Sequence, residues 1–229
     1  MIADYLKELE DALAFDPALA SRVVTEARDH LADATAEDRI ADRDEAERRA
    51  VARFGDPREL AAQFAAISLA RQARRVGVVI VLAIVTVLAM MKARVAWYGV
   101  VEWTIAEDAR AAAGVVLTIN RYAFWIAIVI GIGALLHTAR QSAPPRVHAG
   151  YRRHLRRAAL LFSGAAAALA VSVTGDLILT ALRVGTKLSA AAVVPVASLS
   201  VEVASIAIVI FMIANASRRM MRMARSFAD

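Results

Sequence analysis

The 229-residue chain predicts an all-α protein: a small N-terminal helical domain on the cytoplasmic side, followed by a four-helix transmembrane bundle. Three observations carry this. The hydrophobic share is 59% and mean hydropathy is +0.51, above the ~45–50% apolar content of ordinary soluble domains. Charge divides the chain: residues 1–70 hold 16 acids and 9 bases, net −7, whereas residues 71–229 hold 6 acids and 19 bases, net +13, together the stated +6. Apolar residues recur at helical spacing before residue 70 and gather into four long stretches after residue 75. A single globular domain is excluded, and with no cysteine so are a disulfide scaffold and any thiolate site.

The N-terminal domain, residues 1–70, reads as four amphipathic helices. Ile2, Tyr5, Leu6, Leu9 and Leu13 form the first stripe. Asp16-Pro17 supplies an N-cap and a first-turn proline for the second helix, whose stripe is Leu19, Val23, Ala27, His30 or Leu31, and Ala34. Asp42 with Glu45 fits a carboxylate capping box for the third, which presents Ala46, Ala50, Val51 and Phe54 before Gly55 ends it. Asp56-Pro57-Arg58-Glu59 starts the fourth, with Leu60, Phe64 and Ile67 on its apolar side, and this helix runs on towards Arg71–Arg75. About 65 residues bury only a modest core, so packing on a partner would add stability.

Four apolar stretches follow, at about residues 76–91, 115–137, 158–182 and 188–214. Each is about the ~20 residues needed to cross a ~30 Å hydrocarbon core, the first with help from snorkelling Arg75 and Lys92. Thirteen bases flank the spans on one side: Arg71, Arg74, Arg75, Arg140, Arg146, Arg152, Arg153, Arg156, Arg157, Arg218, Arg219, Arg222 and Arg225. The other side has Lys92, Arg94, Arg110, Arg183 and Lys187, with Arg121 a sixth. Positive charge accumulates on the cytoplasmic face, so both termini are expected there. Met1-Ile2-Ala3-Asp4 has neither a basic region nor an apolar run, so no cleaved signal peptide is expected. The pI near 10.3 is therefore read as topology, with no direct contact to nucleic acid. Only Lys7, Lys92 and Lys187 of the 28 bases are lysines, a composition typical of GC-rich bacterial genomes, and the inner membrane is the expected location.

Between the first two spans, Trp97, Tyr98 and Trp103 with Val100, Val101 and Ile105 predict an interfacial helix on the outer face, or alternatively a lid over a lipid-like ligand. The basic run Tyr151–Arg157 after Pro144-Pro145 suits anionic lipid. Gly164–Ala168, Ala170 and Ser172 mark the third span as central in the bundle or at the seam of a homo-oligomer.

Two patches resemble a known family: Glu26-Ala27-Arg28-Asp29-His30-Leu31-Ala32-Asp33, and Ala50-Val51-Ala52-Arg53-Phe54-Gly55-Asp56-Pro57-Arg58-Glu59-Leu60-Ala61. With the Tyr5-Leu6 and Leu9 stripe they resemble the HAAS domain, a helical module at the N-terminus of bacterial membrane proteins, over residues 2–67. The resemblance implies signalling: a cytoplasmic domain that engages a PadR-like transcription regulator, with Arg28, Asp29, His30, Asp33 and Arg53 as candidate contacts. The alternative is an accessory subunit of a permease or cell-envelope complex that docks through the same domain. Enzymatic chemistry is not expected. No Walker, nucleophile-elbow or zincin pattern occurs, and His30, His137, His148 and His154 lack metal-ligand spacing, so neither cofactor nor metal is expected.

Charges inside the spans complete the reading. Asp176 lies seven residues before Arg183 and Arg121 six after residue 115, depths of about 10 and 9 Å at ~1.5 Å per residue. An Arg121–Asp176 ion pair is therefore expected. Glu202, about 21 Å along the fourth span, is expected to stand apart, either protonated or facing a polar crevice with Ser198 and Ser205, as the candidate for a sensing or proton-linked role.

Overall fold

The structure is a computed structural model and describes residues 1–38, 42–140, 149–185 and 190–226. Among these the chain is helical, with no strand: α1 Ile2–Ala12, α2 Pro17–Glu37, α3 Arg43–Phe54, α4 Pro57–Val100, α5 Arg110–Ala139, α6 Ala149–Val184, a 3-10 turn Ala190–Ala192, and α7 Val193–Ser226. Two compact units result. The first takes in Met1–Arg71, Ser142–Arg153 and Ala216–Asp229, the second Gln72–Gln141 and His154–Asn215.

In the first unit the stripes meet as helical periodicity dictates. Tyr5, Leu6 and Leu9 of α1, followed by Leu13 and Phe15, pack on Leu19, Val23, Val24, Ala27 and Leu31 of α2 and on Ala46 and Ala50 of α3. Leu31, and not His30, is the buried member of that pair. The Asp16 side chain accepts from the Leu19 amide and caps α2. It is itself buried and bound by Arg219 Nη1 at 2.9 Å and by the Ser68 hydroxyl at 3.4 Å. Arg219 and the fully buried Met223 show that the last turns of α7 pack with this unit, a contact that no local pattern announces.

Two local expectations need correction. Asp42 caps α3 through the Asp44 amide, but Glu45 does not reach back to close a capping box. It pairs instead with Arg48 at 2.9 Å and Arg49 at 3.3 Å, one turn further on. The apolar stripe of the fourth helix is also displaced. Ile67 is 45% exposed, while Ala61, Ala65, Ala66 and Leu69 are buried. Alanines let the backbone of α4 approach its neighbours closely, so Ala61, Ala65 and Ala66 face inward together with Leu69, and Ile67 lies at the rim.

Tyr5 is 5% exposed, and its hydroxyl has no hydrogen-bond partner among the described residues. Burial, reinforced by the negative charges of Asp56 and Glu8, raises its pKa above the ordinary value near 10. A folded-state pKa above the unfolded one means that the neutral form is the one compatible with folding. Its contribution is intact below pH 10 and is lost as pH climbs through the raised value. Tyr5→Phe should leave the protein as stable at neutral pH, or firmer by about 1 kcal/mol, because a buried unpaired hydroxyl disappears. In a phenolate absorbance titration, the difference between wild type and variant should be one tyrosine titrating late. A Tyr5 that ionises like a free phenol would contradict its burial.

In the second unit, four helices are long and apolar enough to cross a membrane. The fourth helix of the N-terminal region and the first span form one continuous 44-residue helix, α4, as the absence of a breaker between Pro57 and Arg75 implies. It extends nine residues past the expected end at residue 91. The buried face of the unit is built from Val76, Ile80 and Val87 of α4, Ala127 and Ala134 of α5, Ala165 and Leu169 of α6, and Val209 of α7. Val85, Val129, Leu160 and Phe211 are each more than half exposed, an outer surface suited to lipid. The protein is a multi-pass membrane protein.

Small residues set the spacing. A side chain at Gly131 would meet Ile84 Cδ1 at 2.8 Å, and one at Gly175 would meet Asn120 Cβ at 2.9 Å. Of the apolar window of α6, 50% is buried, against 22–33% for the other three. The alanine-rich span is therefore central within a single chain.

Candidate functional site

The long helices bring six of the buried polar side chains of the second unit into one cluster. Arg94, six residues before the end of α4, is 2% exposed. Its Nη2 lies 2.9 Å from Asp176 Oδ2 on α6, and its Nη1 lies 3.0 Å from Glu202 Oε1 on α7. Nη1 also donates to the Ser198 hydroxyl at 3.1 Å. From α5, Asn120 Nδ2 donates to Asp176 Oδ1 at 2.7 Å, while Asn120 Oδ1 accepts from Ser172 at 2.6 Å. Asn120, Ser172, Asp176, Ser198 and Glu202 are all at most 5% exposed. One guanidinium thus joins two carboxylates supplied by different helices, and an amide from α5 closes the group.

The expected Arg121–Asp176 pair is not formed: Asp176 is held by Arg94 and Asn120, and Arg121 is exposed. Successive helical residues point about 100° apart, so when Asn120 faces the interior, Arg121 faces out. A sequence signal for this exists. Ala113, Asn120, Ala127 and Ala134 recur every seven residues and are all buried, a small-residue stripe that marks the inward face. Glu202 does not stand apart either, because Arg94 bridges it to Asp176. Ser198 belongs to the cluster as expected, whereas Ser205 bonds back to the Val201 carbonyl. Arg94 itself, counted from sequence with the loop bases, lies inside the membrane helix because α4 is longer than its apolar core.

The aromatic segment is corrected in the same way. Trp97 and Tyr98 are the closing turn of α4 and not part of a separate interfacial helix. Trp97 Nε1 donates to the Ala191 carbonyl at 2.9 Å, and the Tyr98 hydroxyl donates to Thr180 at 3.0 Å. Tyr98 stacks on Trp103, and the guanidinium of Arg183 lies over the Tyr98 ring, 4.8 Å from its centre. These contacts close one end of the second unit just beyond Arg94.

A second candidate lies in the first unit. Ile2, Arg28, Ala32, Thr35, Ala36, Arg43, Ala46 and Glu47 line a groove of about 540 Å³ between α1, α2 and α3. The apolar part of its lining is Ile2, Ala32, Ala36 and Ala46. Arg43 is paired with Glu47 at 3.6 Å, and Arg28 makes no ion pair among the described residues. Of the candidate contacts from sequence, Arg28 therefore borders this groove. Asp29, His30 and Asp33 are exposed elsewhere along α2, and Arg53 is exposed on α3, 3.5 Å from Asp38.

The HAAS family model matches residues 4–63. Over that segment, about a quarter of the chain, the protein is similar to the HAAS domain. No curated protein and no solved structure matches the chain. The matched residues take in α1 from Asp4 onward, α2, α3 and the first turns of α4, with Tyr5, Asp16 and the groove residues other than Ile2. The Arg94–Asp176–Glu202 cluster lies outside the matched residues.

Proposed function

We propose that the protein is a membrane-anchored regulator of the bacterial inner membrane, with both termini cytoplasmic, whose HAAS domain binds and controls a PadR-like transcription regulator. The observation that carries this reading is a HAAS domain joined to four membrane-length helices. The 13-to-6 distribution of flanking bases supports the orientation. The groove supplies a docking surface: an apolar lining beside Arg28, which makes no ion pair among the described residues, suits an apolar side chain flanked by an acid.

Full-length protein in detergent, immobilised and offered a purified PadR-like regulator encoded beside it, tests the reading. Binding is expected, with Arg28→Glu weakening it about tenfold or more, equivalent to at least ~1.4 kcal/mol. No binding of the regulator, with permease or envelope components recovered when the same immobilised protein is offered a membrane extract, would favour the accessory-subunit alternative. Equal binding by Arg28→Glu would remove the groove from the interface.

A further inference from the structure

The buried cluster carries unequal charge. Arg94 offers one positive charge to two carboxylates, Asp176 and Glu202, and all three side chains are at most 6% exposed. With both acids ionised, the centre would hold a net negative charge away from water. Isolated charge in such surroundings is strongly disfavoured unless it is paired.

The two acids are not equivalent. Asp176 accepts a hydrogen bond from the Asn120 amide at Oδ1, 2.7 Å away, and faces Arg94 Nη2 across 2.9 Å at Oδ2, an ion pair without hydrogen-bond geometry. Glu202 has Arg94 at Oε1 only, 3.0 Å away, and its Oε2 has no hydrogen-bond partner among the described residues while the side chain is fully buried. The charged groups acting on Glu202 are Arg94 from α4 and Asp176 from α6. α5 contributes the neutral Asn120, already committed to Asp176, and α7 itself the neutral Ser198. A neutral carboxyl with an unpaired hydroxyl costs far less to bury than a half-solvated anion.

We propose that Glu202 is a proton-binding site: it holds one proton on Oε2 while Asp176 stays ionised against Arg94 and Asn120, so that the bundle packs around a neutral cluster. The chemistry is addition of one proton to a carboxylate oxygen, which takes the cluster from a net charge of −1 to zero. The site does not depend on the docking role of the HAAS domain.

Infrared spectroscopy of the full-length protein in lipid nanodiscs at neutral pH tests this directly. A protonated-carboxyl carbonyl band is expected that shifts when glutamate, and not aspartate, is carbon-13 labelled. The band should be lost in Glu202→Gln. It should also weaken in Asp176→Asn, where Arg94 is left to Glu202 alone. No such band in the wild type, or a band that follows the aspartate label, would overturn the proposal. So would a band that persists in Glu202→Gln or is unchanged in Asp176→Asn. If the variants do not fold, the labelling result on wild-type protein decides by itself.

Discussion

Replacing Arg94 with methionine should cost the membrane unit about 3–5 kcal/mol, because it removes the common partner of two buried carboxylates. The expected result is a sharp loss of monodisperse folded protein in detergent and a large fall in the thermal midpoint of what remains. The size of the effect comes from what is left behind. Asp176 keeps its Asn120 bond but loses its ion pair with Arg94, and Glu202 loses its own ion pair with the same residue. Neutralising the acids as well, in Arg94→Met with Asp176→Asn and Glu202→Gln, should recover much of the yield, since a polar cluster without formal charge costs less to bury than an unpaired anion. Arg121→Ala serves as the contrasting variant. Arg121 is exposed on α5, so its removal should change stability by no more than about 0.5 kcal/mol. A loss in Arg121→Ala equal to that in Arg94→Met would mean that Arg121, and not Arg94, holds Asp176.

Leu9→Ala or Leu31→Ala should unfold the HAAS domain. Both side chains have no exposed surface, and truncating a fully buried leucine costs about 2–5 kcal/mol. Native stabilities of about 5–15 kcal/mol are typical, and a domain near 60 residues belongs at the low end because it buries a smaller share of its surface. Limited proteolysis of the full-length protein should then cut within residues 4–63 under conditions that leave the wild type intact. Binding of the regulator should be lost in parallel. Ile67→Ala, at a 45% exposed position, should resist proteolysis like the wild type. Sensitivity of Ile67→Ala matching that of Leu9→Ala would restore the helix-four stripe read from sequence.

The comparison of Ile67 with Ala65 shows where local reading stops. An apolar stripe locates a helix and its inward side to within about one residue. Which of two adjacent stripes becomes the seam depends on how closely the neighbouring backbone can approach, and that favours the alanines. The pair Asn120 and Arg121 repeats the lesson inside the bundle: depth along a span is set by counting residues, but azimuth is set by helix packing, and a charge at the right depth can face the wrong way.

The class of the protein, the HAAS resemblance, the capped starts of α2 and α3 and the existence of four spans all follow from the chain itself. They rest on interactions within a few residues, such as Asp16 capping Leu19, or on composition averaged over about 20 positions, as the membrane requires. Four features needed the tertiary structure. Arg94 became an interior residue, Asp176 and Glu202 were joined through it, Trp97 and Tyr98 became contacts of the bundle, and Arg219 was brought to Asp16 across 203 positions of sequence. Each is a contact between elements far apart in the chain. A buried charge selects its partner by distance and desolvation in the folded protein, and helical period with residue type constrains those distances only along one helix at a time.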